Sequence, residues 1–322
     1  MNNKSILQSL GPGLLFAGAA IGVSHLVQST KAGAEFGFGL LWALLLVHLF
    51  KYPFFQFGPR YAAATGETLL DGYKKLGKSV LVIYYILNFA TMFTIQAAVT
   101  IVTASLASQL FGFTNDLVLW SVVIMCISFV ILLIGKYKLL DNLMKYIIIL
   151  LTISTVIAVN VALFSTKESF DFTQIFPSGT IEITFLIAFL GWMPAPLDVS
   201  IWHSIWTVEK DKTTFEKMKP KQALFDFNVG YMGTLFLGVC FVLLGALVMF
   251  HSGQTFSNKG GVFASQLIQL YTKNLGDFSY IFIAAAAFTT MFSTTITTLD
   301  ASNYTTKKTT NLIFNKKTIF NY

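Results

Sequence analysis

Blocks of about twenty consecutive apolar residues recur along most of the chain, and each is long enough to cross a bilayer. Eight are marked off, at residues 11–31, 38–62, 79–110, 116–135, 139–164, 181–206, 223–250 and 277–299. The first is followed by seven more, which excludes a cleaved signal peptide. With no closed-barrel pattern, each block must satisfy its backbone internally as a helix. Residues 262–274 predict a further short helix lying at the membrane surface. Of the 322 residues, 11% are charged, less than half the roughly 25% of a soluble domain, while 55% are hydrophobic. A soluble domain of this length cannot bury so much apolar surface, and disorder needs the opposite composition. The fold class is an all-α polytopic membrane protein.

The net charge of +7 reflects topology rather than nucleic-acid binding, because the cations sit in short loops. With the N-terminus placed inside, sixteen Lys and Arg residues fall on inner segments and four on outer ones. This predicts a multi-pass protein of the plasma (inner) membrane, bacterial in type, with a cytoplasmic N-terminus. The expected partners are the lipid bilayer and a transported ion or small solute, with no nucleic acid. Cys126 and Cys240 lie inside apolar blocks and form neither a disulfide framework nor a metal cluster. No Walker loop, His-Glu-x-x-His or nucleophile elbow is present, so neither an enzyme nor a permanently bound cofactor is expected.

Two spans are interrupted at their centres. Span 1 reads Gly18-Ala-Ala-Ile-Gly22-Val-Ser-His25, and span 6 reads Gly191-Trp-Met-Pro-Ala-Pro196. Glycine and paired prolines break the backbone ladder, and freed polar groups at membrane depth must face protein or a watery cavity. Each break falls in the first helix of a set of five, and an odd set length inverts the second set. Interrupted helices at matching places of two inverted halves point to a transporter's central site.

Gly11-Pro12-Gly13, the stretch from Lys31 to Trp42 (KAGAEFGFGLLW) and Met193-Pro194 resemble the Nramp (natural resistance-associated macrophage protein) family of divalent-metal transporters, from residue 10 to about 300. The resemblance implies a LeuT-like fold of two inverted five-helix repeats, here residues 1–165 and a partial repeat at 166–300, followed by a polar tail at 301–322. Ten spans would complete it and eight are present, as in a member that is naturally short or truncated. The resemblance also implies proton-coupled uptake of Mn²⁺ or Fe²⁺, with the metal as substrate. The family's Asp-Pro-Gly-Asn at the first break, whose Asp and Asn ligate, is replaced by Gly22, Val23, Ser24 and His25. At the second break the ligating Met matches Met193, the following His is replaced by Ala195, and the ligating carbonyl three residues before the Met falls on Leu190. The substrate site expected from these positions is Gly22, His25, Leu190 and Met193, with Asp198 as the nearest acid. Imidazole and thioether suit a softer ion than Mg²⁺ or Ca²⁺.

Ionisable groups at membrane depth are functional candidates by default. Lys51 lies about 20 Å into span 2 at 1.5 Å per residue, and Asp198 reaches a similar depth in span 6, so the two are expected to pair. His48 and Lys51, together with Thr294 and Thr298 in hydroxyl-rich span 8, are the cavity or coupling candidates; His203 is expected to pack. The leading function is a metal-ion transporter with an altered site. The alternatives are a LeuT-like carrier of an organic solute or other ion, in which Lys51 stands in for a coupling cation, and a truncated transporter that carries nothing.

Overall fold

The computed structural model describes residues 10–165, 170–214, 217–250, 252, 257, 259–275 and 279–314, and among these no strand occurs. Span 1 comprises α1 (Pro12–Ala20), a π-helix (Val23–Ser29) and α2 (Thr30–Phe36). Span 2 is α3 (Leu41–Thr65), and α4 (Leu69–Leu76) is a short amphipathic helix before α5 (Lys78–Phe111). Then come α6 (Leu117–Ser165), α7 (Thr180–Trp192) and α8 (Asp198–Thr214). Span 7 is α9 (Pro220–Leu244), which continues as a π-helix (Gly245–Phe250). The last two helices are α10 (Gly260–Leu275) and α11 (Ser279–Phe314).

Span 1 is the axis of the bundle. Its apolar window is 94% buried, against 17% for α5, whose Ile83 and Leu87 project outward as a lipid-facing side chain must. Spans 1 and 7 approach backbone to backbone at two glycine pairs. A Cβ on Gly13 or Gly230 would strike the main chain of the other helix, and the same holds for Gly33 and Gly245. At the start of α1, the buried Asp226 carboxylate of α9 accepts the amides of Gly11 (2.9 Å) and Gly13 (2.6 Å), two of the orphan donors of that helix end. Spans 2 and 6 are neighbours, as the resemblance implied: Ser200 Oγ donates to the Phe54 carbonyl at 2.9 Å, and Gly58 leaves room for the Ser200 backbone.

Three features differ from the sequence reading. No break separates spans 4 and 5, because α6 is helical throughout Leu117–Ser165. Forty-nine residues would extend about 73 Å, more than twice a hydrocarbon core. Its halves Leu117–Ile134 and Leu139–Phe164 are each apolar and long enough to cross. Trp120 stacks on Phe111 at the end of α5, Met144 lies beside Gly18 on span 1, and Val159 and Ala162 are again buried in the core. The second difference is α10. It is a helix, but Phe263, Ala264 and Ile268 are fully buried, so it packs into the bundle instead of lying on its surface.

The third difference is the expected polar tail. Residues 301–314 are the last turns of α11. Their hydroxyls bond inward: Thr305 to the Ala301 carbonyl (2.8 Å), Thr309 to Thr305 (2.7 Å) and Thr310 to Thr306 (2.8 Å). Asn88 of α5 donates to Thr306 at 3.1 Å, and Lys308 pairs with Asp71 of α4 at 2.7 Å. A threonine-rich helix reads as tail because its polarity is satisfied by helix carbonyls and neighbours that composition does not show. Residues 315–322 lie outside the described part.

Candidate substrate site at the two broken helices

The first break opens at Ile21 and Gly22. A Cβ on Gly22 would come within 2.5 Å of Thr294 Oγ1, so glycine is what lets α11 approach. The freed carbonyls are met by hydroxyls. Thr294 Oγ1 lies 3.1 Å from the Gly18 oxygen and 3.4 Å from that of Ile21, while Ser24 donates to the Ala20 carbonyl. His25 is wholly buried and held at both ring nitrogens. Nε2 is 2.9 Å from the Thr234 carbonyl of α9 and Nδ1 is 2.7 Å from Ser24 Oγ. A carbonyl only accepts, so Nε2 carries the hydrogen and Nδ1 accepts, and the one Ser24 hydroxyl hydrogen serves either Nδ1 or the Ala20 carbonyl.

The second break follows from two prolines. Pro194 and Pro196 lack an N–H, so the Leu190 and Trp192 carbonyls lose the donors that a continuous helix would supply. The last ladder bond runs from the Met193 amide to the Phe189 carbonyl at 3.0 Å. Into this frayed end reaches the Lys51 ammonium. It donates to the carbonyls of Leu190 (2.9 Å), Gly191 (2.8 Å) and Met193 (2.7 Å), with Ala195 at 3.4 Å. The expected pairing of Lys51 with Asp198 is corrected: among the described residues no ion pair joins them. The reason is local, since the carbonyls of the frayed end of α7 stand within hydrogen-bond reach of the amine. Asp198 instead begins α8, within electrostatic reach of Tyr73 and Tyr84.

The two breaks meet. Val23 and Ser24 from the first and Trp192 and Pro196 from the second line one narrow cavity of about 20 Å³ with Thr294 and Thr298, room for a single water. Behind it, His25 and Met193 flank one glycine. A Cβ on Gly238 would lie 3.2 Å from Met193 Cε and 3.6 Å from His25 Cδ2. Ser29 Oγ is 3.4 Å from the Met193 sulfur. Gly22, His25, Leu190, Met193, Lys51, Thr294 and Thr298 are thus brought together, with the Leu190 carbonyl engaged by Lys51. His48 turns to the Leu44 carbonyl (2.8 Å) and packs edge-on against Tyr231. His203 packs between Phe16 and Phe227, with neither ring nitrogen partnered among the described residues. No group of three His, Cys, Asp or Glu side chains suited to hold a metal occurs among the described residues.

Sequence reasoning passed over Asp226. It is the one acid within 223–250, which was the available signal, and its role as a cap on a helix more than two hundred positions away was not legible.

Two interrupted helices meeting inside an all-helical bundle define a LeuT-like membrane transporter. The model of the family described as Natural resistance-associated macrophage protein-like matches residues 13–319, and the chain belongs to that family. An uncharacterized protein of Pasteurella multocida (strain Pm70) is 40% identical over 314 residues, covering 96% of this chain and 72% of that relative. The manganese transporter of Eremococcus coleocola, solved with an aromatic bis-isothiourea compound, superposes with a TM-score of 0.67 at 16% identity, over 97% of this chain and 66% of that one. Mhp1, a nucleobase-cation-symport-1 family transporter in a closed conformation, superposes at 0.68 with 17% identity, over 95% of this chain and 67% of that one. At these identities the likeness shows the fold, and the chain spans about two thirds of the length of those structures.

Proposed function

We propose that this protein moves a divalent transition-metal ion across the membrane through the site where the two breaks meet, with proton coupling as in the family it belongs to. The observation that carries this is the placement of His25 and Met193 together against the open Cβ position of Gly238, at the junction of the broken helices. Family membership and the fold shared with a manganese transporter support it. An imidazole and a thioether without a carboxylate suit Fe²⁺, Zn²⁺ or softer ions better than Mg²⁺ or Ca²⁺. Both side chains are buried and His25 is engaged, so binding requires the cavity to open, as alternating access provides. The two-repeat organisation, with residues 166–300 belonging to the second repeat, is part of the same proposal.

The test is uptake into vesicles reconstituted with the whole chain, screened over Mn²⁺, Fe²⁺, Zn²⁺, Mg²⁺ and Ca²⁺ with and without a pH gradient. Saturable uptake of transition ions is expected, and uptake of none would overturn the proposal. The orientation proposed from the lysine distribution places position 212 inside. A cysteine there should escape a membrane-impermeant reagent added outside, while one at position 167 reacts.

A further inference from the structure

We propose that the carbonyl cage at the second break is a monovalent-cation site, and that its occupant is the chain's own Lys51 ammonium. The cage comes from sequence: Pro194 leaves the Leu190 oxygen without its helical donor, and the turn before Pro196 leaves those of Gly191 and Met193 pointing to the same place. Helix C-terminal carbonyls carry partial negative charge, and at membrane depth they need a donor or a cation. Unwound carbonyls at half-helix ends coordinate coupling cations in transporters, and carbonyl rings replace the hydration shell of K⁺ in channels. Here three oxygens lie 2.7–2.9 Å from one nitrogen and a fourth at 3.4 Å, so the ammonium is surrounded as a bound ion is. Among the described residues no carboxylate shares it, so the cage alone balances the charge. A tethered cation is always at hand, and it removes the need for a dissolved ion to hold the frayed end of α7. It also places a fixed positive charge on the Leu190 carbonyl, one position where the family resemblance implies a metal ligand. The proposal rests on the broken-helix geometry and not on the identity of the transported ion.

The test empties the cage and offers replacements. Lys51→Ala and Lys51→Met are purified in detergent, and thermal unfolding is followed in potassium, ammonium, sodium and choline chlorides at one ionic strength, with n-propylammonium as a fifth salt. The wild type should unfold at the same temperature in all five. Lys51→Ala should unfold several degrees lower in choline and recover saturably in potassium, ammonium or propylammonium. Lys51→Met, whose side chain fills the space, should recover less. A Lys51→Ala protein that responds equally to every salt would overturn the proposal. Should the variants not survive purification, acetylation of the wild type followed by mass spectrometry decides. Lys51 should react at least tenfold more slowly than the exposed Lys74, and equal rates would refute the cage. Failure here leaves vesicle uptake by the wild type unaffected, so the two proposals fail separately.

Discussion

The two breaks hold matching places in the fold and solve the same problem in opposite ways. At the first, Gly22 lets Thr294 approach, and the freed oxygens of Gly18, Ala20 and Ile21 are served by neutral hydroxyls while the chain resumes as a π-helix. At the second, two prolines end the helix and an ammonium from another helix serves three carbonyls of the frayed end at once. A break stitched by several weak neutral bonds loses little when one goes. A break held by one charged group depends on it. Interrupted helices in one site therefore need not share a chemistry, even where topology pairs them.

The largest expected effect follows from this contrast. Lys51→Met leaves the Leu190, Gly191 and Met193 carbonyls without donors at membrane depth, and should lower stability by about 3 kcal/mol or more, measured by thermal unfolding in detergent. A loss below about 1 kcal/mol would erase the distinction between the breaks. Next is Gly22→Ala, whose new methyl group meets Thr294 and should cost about 1–3 kcal/mol. Thr294→Ala in the same chain should recover part of that loss, and simple additivity would show that the contact is not the cause. Thr294→Val keeps the shape but removes one donor, so about 1 kcal/mol is expected.

The smallest effect is a control outside the membrane. Burial raises the Asp71 carboxyl, but Lys308 at 2.7 Å and the Thr68 hydroxyl and amide outweigh it and hold the group below its ordinary value. A depressed folded value adds stability above the unfolded value, about pH 3.9, and that stability is lost as pH falls through the folded one. Asp71→Asn, which also weakens the cap on α4, should unfold a few degrees lower at pH 7. The gap should close below about pH 4; a gap independent of pH would remove the charge from the explanation.

The two breaks were legible because glycine and proline act locally, and the adjacency of spans 2 and 6 came with the family resemblance. The partner of Lys51 was not legible. Asp198 was the obvious countercharge in the text, but Pro194 creates acceptors that carry no letter of their own. The order of residues 301–314 was equally hidden, since Thr305 and Thr309 are satisfied by their own helix while α5 covers them. The contact of Gly13 with Gly230 and the reach of Asp226 to Gly11 are long-range, and glycine in a membrane helix is too common to announce either.

A single ion shared between the unlike breaks would be held by His25 and Met193. Calorimetric titration of Mn²⁺ into the purified protein, beside His25→Ala and Met193→Ala, tests it most directly. The wild type should bind Mn²⁺ in preference to Mg²⁺, and each substitution should weaken binding at least tenfold, as loss of a ligand predicts. Unchanged affinity in both variants would contradict it.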